Sequence, residues 1–238
     1  MKPSNQQQGP RWHVHANAAA MAIALSQHLQ QLSHAAIANH GSVRIGLAGG
    51  STPMAAYADF AAAMLPWPKV RLALIDERCV PLTNAQSNER AIASAFAGAR
   101  AQLGAWQGLY TETADSAAAA DAAIRDFGLP FDITVIGMGA DGHIASLFVE
   151  SADYDAAIGT TTDRVVLPMR FSADERKTDR LSFTLPALLQ TRHVLFCISG
   201  TDKRDVLERS LDGRAPHYAV ARFLAEYDGP VDIFWSPA

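Results

Sequence analysis

The chain has 238 residues, of which 49% are hydrophobic and 18% charged, which is too apolar for a disordered chain. No apolar run reaches the roughly 18 residues of a membrane-spanning helix. Twenty Lys and Arg against 24 Asp and Glu leave a formal charge of −4, which excludes a generally basic nucleic-acid or membrane-surface protein and leaves room only for a local basic pocket.

Two cysteines, Cys79 and Cys197, are too few for a disulfide framework or a Cys-rich zinc site. A reducing cytoplasm is the expected compartment, with one optional disulfide left open. Residues 1–10 read MKPSNQQQGP, a polar stretch with Pro and Gly and without the apolar core of a secretory signal. A flexible tail over 1–11 and a single domain over 12–238 are expected, because no composition break or long linker divides the rest.

The first element is an amphipathic helix over about 16–38, where Met21, Leu25, Leu29 and Leu32 recur at helical spacing. His13, His15, His28, His34 and His40 lie in or near it on different faces, so they read as surface or capping residues rather than a metal set. Apolar runs then follow at Val43–Leu47, 70–75, Ile133–Ile136, 164–167, 181–184, Val194–Ser199 and 231–235. Helical patterns fall at 54–65, 87–96, 114–127 and Thr201–Leu211. Short apolar runs alternating with helices predict an α/β fold with a mostly parallel, doubly wound sheet covered on both faces.

In such sheets ligands bind beyond the carboxyl ends of the strands, where strand order reverses. Three strand ends are informative. The first runs into Gly49-Gly50-Ser51-Thr52-Pro53, a glycine turn before a helix start whose free amides and dipole favour an anion such as phosphate. It matches neither the Lys-containing phosphate loop nor the dinucleotide fingerprint. The second runs into Asp76-Glu77-Arg78, three charges that either reach solvent, line a pocket or pair internally, with the Arg78 fork suited to phosphate or carboxylate. Cys79 beside them reads as a small neighbour, and 87–90 as a capped helix start whose Asn88 and Arg90 can face the cleft.

The third end is Gly137-Met138-Gly139-Ala140-Asp141-Gly142-His143. An imidazole there can accept a proton from water, and a nearby carboxylate can orient it and stabilise its charged form. The alternative is a His143 that caps a helix expected over 144–148. A serine nucleophile would have to be Ser146, on that helix and without a Gly-x-Ser-x-Gly elbow.

The blocks GLAGGSTP (46–53), DERCVP (76–81), SNER (87–90) and GMGADGHIASLF (137–148) together resemble the 6-phosphogluconolactonase family. RLSFTLPALL (180–189) and SGTDKRDVLE (199–208) extend the likeness over nearly all of the chain after the tail. The resemblance implies the glucosamine-6-phosphate deaminase-like fold and hydrolysis of 6-phospho-D-glucono-1,5-lactone to 6-phospho-D-gluconate, without metal or organic cofactor. It implies His143 as general base and Asp141 as the residue orienting it or the sugar hydroxyls. Arg78, Arg180 and Lys203 match cationic positions around the sugar phosphate. Gly49, Gly50 and Ser51 match the anion-binding turn, and Asp76 the acidic position at the second strand end. The partner implied is a small sugar-phosphate lactone, with neither nucleic acid nor membrane; a monomer is expected and a dimer is left open.

The sequence departs from the family's pattern at Ile144, where Thr is usual, and at Val149-Glu150, where Pro-Gly is usual. The segment 169–179 is charged where the family is Pro-rich; its Arg170, Arg176 and Lys177 read as a solvated loop or as substrate contacts. Two rival functions share the fold. A glucosamine-6-phosphate deaminase/isomerase would need an acid/base five residues after the histidine, where this chain has Phe148. A sugar-phosphate-sensing regulator domain would need no catalytic pair and would come with a DNA-binding module, which this sequence lacks.

Overall fold

The computed structural model describes residues 9–160, 162–171 and 178–237. In chain order its strands are β1 (Arg11–Val14), β2 (Val43–Leu47), β3 (Val70–Leu74), β4 (Asp76–Arg78), β5 (Ala105–Gln107), β6 (Ile133–Ile136), β7 (Val166–Met169), β8 (Arg180–Phe183), β9 (Val194–Ser199) and β10 (Val231–Ser236). The helices are α1 (Ala18–His40), α2 (Met54–Ala61), α3 (Asn88–Ala95), α4 (Ser116–Phe127), α5 (Tyr154–Ile158), α6 (Leu185–Leu188), α7 (Thr201–Leu211) and α8 (Ala219–Glu226). None of them is long and apolar enough to cross a membrane.

Seven strands form one sheet in the order β1-β10-β9-β6-β2-β3-β5, and every pairing in it is parallel. The central strands are short and almost wholly apolar because helices cover both faces: all four residues of β6 are buried, as are five of the six in β9. The helix α1 packs on α2 and β10, and α7 on α8 and β9. Helix α1 starts where Asn17 Oδ1 accepts from Ala20 N at 2.9 Å, and it ends at Gly41, whose φ of 78° allows the left-handed C-terminal turn.

Three differences from the sequence reading matter. Residue 11 is not tail: Arg11–Val14 is a parallel edge strand on β10. The charged Asp76–Arg78 does not trail off β3 but forms β4, which pairs antiparallel with β8 in a second, three-stranded sheet β4-β8-β7. Residues 144–148 are not a helix. Ala145 takes a φ of 49°, off the right-handed path, and the chain instead makes successive tight turns from Ile144 to Leu147 and from Ser146 to Phe148. Helix α2 also stops at Ala61, short of the 65 expected.

The second sheet is tied to the helical layer by a buried acid. Asp121 on α4 accepts from the Val165 and Val166 amides at 2.6 and 3.0 Å, and its other oxygen pairs with Arg125 at 2.9 Å. Burial alone would raise its pKa, but these amides and the Arg125 and Arg164 charges outweigh it, so the carboxyl is held below its ordinary value.

Candidate active site

Strand order reverses between β2 and β6. From β2 the chain goes to β3 and β5 on one side; from β6 it goes to β9 and β10 on the other. The carboxyl ends of both strands open on a cleft of about 230 Å³. The turn 48–53 after β2, Gly137 to Gly139 and His143 after β6, Asp76 and Arg78 of β4, Arg180 of β8 and Lys203 of α7 all line it. Of the nine site residues implied by the family resemblance, eight line the cleft and Asp141 does not; it reaches the site through its contact with His143.

That arrangement orients the imidazole. His143 Nδ1 lies 2.6 Å from Asp141 Oδ1, and the His143 backbone amide donates to the same oxygen at 3.4 Å. Burial opposes ionisation of Asp141, yet the hydrogen bond and charge of His143 outweigh it and hold the carboxyl below its ordinary value. An ionised carboxylate only accepts, so Nδ1 carries a proton, and in the neutral ring the lone pair is on Nε2. The ring is a quarter exposed and stacks on Phe148 with centroids 3.9 Å apart. Gly139 is required by contact: a Cβ there would fall 2.2 Å from Asp141 Oδ1 and 2.3 Å from His143 Nδ1.

One side of the cleft is built by opposed cations. Arg78 and Arg180 are direct partners across the β4–β8 pair. Like charges facing each other across strands repel. Burial first, and then the Arg78 charge, lower the Arg180 pKa. Arg180 Nε is buried with no hydrogen-bond partner among the described residues, and its guanidinium lies 4.8 Å over the Phe148 ring. Two adjacent cations with an unused buried donor call for an anion between them. Lys203 enters from the first turn of α7, and the Gly49-Gly50-Ser51 turn supplies backbone before α2, with Gly50 at a φ of 90°.

Sequence reasoning missed the scaffolding of these cations. Glu77 turns away from the cleft and caps α3, accepting from the amides of Asn88 and Glu89 at 2.7 Å each, the Arg78 amide at 2.7 Å and Ser87 Oγ at 3.0 Å. Burial raises its pKa and these bonds pull it back. Asn88 accepts from the Arg78 guanidinium and donates to Asp76 O at 3.0 Å. It also explains Gly49, where a Cβ would fall 2.0 Å from Asn88 Oδ1. A buried acid eleven residues before a helix start carries no local signal in the sequence.

Several candidates drop out. Ser146 is fully buried and donates to Asp76 Oδ2 at 2.7 Å, so it is no nucleophile. Burial, then the charges of Asp179 and Glu77, push the Cys79 thiol up to about 11, while burial pushes Cys197 up to about 12 against the pull of Lys203. Both cysteines are free thiols. Arg90 donates to Thr83 O, and Arg170 pairs with Asp153 at the surface. Arg176 and Lys177 lie outside the described residues.

Fold and cleft together define a doubly wound α/β protein whose switch-point cleft sets a carboxylate-oriented imidazole beside two facing arginines and a lysine. The chain belongs to the family described as glucosamine-6-phosphate isomerases/6-phosphogluconolactonase, which residues 16–232 match. It is 34% identical over 229 residues to a 6-phosphogluconolactonase of Rhizobium meliloti, covering 94% of this chain and 98% of that one. It is 31% identical to one from Mesorhizobium japonicum, with 95% of both chains covered. The crystal structure of a 6-phosphogluconolactonase from Shewanella baltica superimposes with a TM-score of 0.88 at 26% identity, covering 97% of this chain and 99% of that one.

Proposed function

We propose that this chain hydrolyses 6-phospho-D-glucono-1,5-lactone to 6-phospho-D-gluconate, the second step of the oxidative pentose phosphate pathway, with His143 as general base. The observation that carries the proposal is the Asp141–His143 pair opening on the same cleft as Arg78, Arg180 and Lys203. His143 Nε2 takes a proton from water as the water oxygen attacks the lactone carbonyl. The tetrahedral intermediate collapses, the bond to the ring oxygen breaks, and the imidazolium returns its proton to that oxygen. The product acid then ionises to solvent. A lactone is an activated ester, so a positioned water and general-base help of about 10²–10⁴-fold suffice.

Asp141 stabilises the imidazolium as it forms. The cations and the Gly49-Gly50-Ser51 turn hold the phosphate, which is remote from the reacting carbon, so their binding energy positions the lactone. Each step uses a side chain of this protein or water. We place the reaction in the cytoplasm, with a small sugar phosphate as the partner. Deaminase/isomerase chemistry fits less well, because the position of its further acid/base holds Phe148, a ring with no proton to move, stacked on His143.

The test is a dehydrogenase-coupled assay on freshly made lactone, corrected for spontaneous hydrolysis, run beside ammonia release from glucosamine-6-phosphate. Lactone turnover without ammonia is expected. Ammonia release without lactone turnover would reassign the chain as a deaminase. Tight sugar-phosphate binding with neither reaction would make it a sensor.

A further inference from the structure

At the opposite end of the sheet from the cleft, one carboxylate gathers residues from three other segments. Asp232, near the start of β10, has a fully buried side chain. Its Oδ1 lies 2.7 Å from His13 Nε2 of β1. Its Oδ2 lies 2.5 Å from Nε2 of His193, the residue just before β9, and 3.3 Å from Nε2 of His28 on α1. Arg11 of β1 donates to Oδ2 at 2.8 Å. The sequence reading left His13 and His28 on different faces; they instead converge, with His193, because His13 belongs to an edge strand and not to the helix.

We propose that His28, His193 and Asp232, with His13 as the fourth ligand, form a site for a divalent transition ion of the zinc type. One ligand atom from each of His28, His193 and Asp232 lies within 4.8 Å of the other two. Tetrahedral zinc has metal–nitrogen and metal–oxygen bonds of about 2.0–2.2 Å, which sets its ligand atoms roughly 3.3 Å apart. The His28–Asp232 separation of 3.3 Å already matches that edge; His193 and His13 hydrogen-bond the carboxylate at 2.5 and 2.7 Å, His13 on the other oxygen, and both would have to move outward to admit an ion.

Three imidazoles and one carboxylate form a donor set suited to zinc, nickel, copper or cobalt and not to magnesium or calcium. All three rings turn Nε2 to the carboxylate, so the nitrogens that now contact it are the ones that would face a shared ion. The rings are partly open to solvent, with side-chain exposures of 34% for His13, 20% for His28 and 13% for His193, so an ion has a way in. Arg11 is the built-in competitor: its guanidinium occupies Oδ2, but its side chain is 56% exposed and free to swing out. A bound ion would tie the edge strand β1 and helix α1 to the β9–β10 pair. It would lie across the sheet from the reacting groups and would act on stability, not on turnover.

The experiment uses the untagged full chain, stripped with a chelator and titrated with zinc chloride by calorimetry and thermal melting, with cobalt chloride as a spectroscopic probe. Expected are one ion per chain, a melting temperature raised by several degrees, and visible cobalt bands of tetrahedral intensity. His28→Gln should lower the affinity at least tenfold and abolish the thermal shift. If His193→Gln does not fold, Arg11→Ala serves as the second variant: removal of the competing guanidinium should tighten zinc binding. No stoichiometric binding by the parent chain would overturn the proposal. So would zinc binding unchanged in His28→Gln, or weakened in Arg11→Ala.

Discussion

The protein holds two Asp–His assemblies, one at each end of its sheet, and they differ in how the carboxylate is shared. Asp141 is half exposed, meets a single imidazole at 2.6 Å, and leaves that ring's second nitrogen to a cleft. Asp232 is fully buried and divides its two oxygens among three imidazoles and a guanidinium. The same pair of functional groups therefore gives a poised base in one place and a fixed hub in the other. One partner and an open second nitrogen permit proton transfer; saturation of the carboxylate by partners from three segments permits only holding.

The sharpest break in that comparison is His143→Ala. It should cut lactone turnover by about 10²–10⁴-fold while sugar-phosphate binding survives. The coupled assay and a 6-phosphogluconate titration read the two effects separately, and full activity in the variant would end the general-base assignment. Asp141→Asn should cost less, on the order of 10–100-fold in kcat, because the imidazole stays in place but loses its orienting acceptor. Steady-state kinetics on the lactone check it, and a kcat at the parent level in Asp141→Asn would show that the carboxylate does not act through the ring.

These two residues were legible in the sequence, and the reason is local. β6 is a four-residue apolar run cut off by glycines, so chain order alone places Asp141 and His143 at a strand end. The same pattern marked β2, β9 and α7, whose observed bounds match those read from the sequence. What escaped was non-local or too short to carry a period. β1 has four residues, two of them polar, and β4 has three, all charged. No spacing rule announces that Arg78 and Arg180 face each other, because 102 positions of chain separate them and only the β4–β8 register joins them. The Asp232 hub is hidden for the same reason: its partners lie 39 to 221 positions away.

The facing arginines give the next prediction. Arg180→Ala should raise KM by roughly tenfold or more with a smaller change in kcat, since one charge-assisted contact to a non-reacting phosphate is worth about 1.5–3 kcal/mol. Lys203→Ala should act in the same direction. Arg180 differs from Lys203 in also lying over Phe148, which backs His143, so its loss should touch kcat slightly more. A fall in kcat with KM unchanged would mean that the cation stabilises the developing oxyanion and not the phosphate.

The smallest effect on turnover belongs to Asp232→Asn, and it completes the contrast. The amide keeps the shape but leaves Arg11 and at least one imidazole without a charged acceptor, so unfolding free energy should fall by about 1–3 kcal/mol. Denaturant titration with an unchanged m-value measures that loss. Turnover per folded molecule should stay at the parent level, because the hub lies at the amino ends of β9 and β10 and the reacting groups beyond the carboxyl ends of β2 and β6. Asp141→Asn should show the mirror image, with a half-exposed carboxylate lost at little cost in stability and a large cost in rate. If both variants lost rate and stability together, the two ends of the sheet would be coupled, and the division between an open pair and a saturated hub would fail.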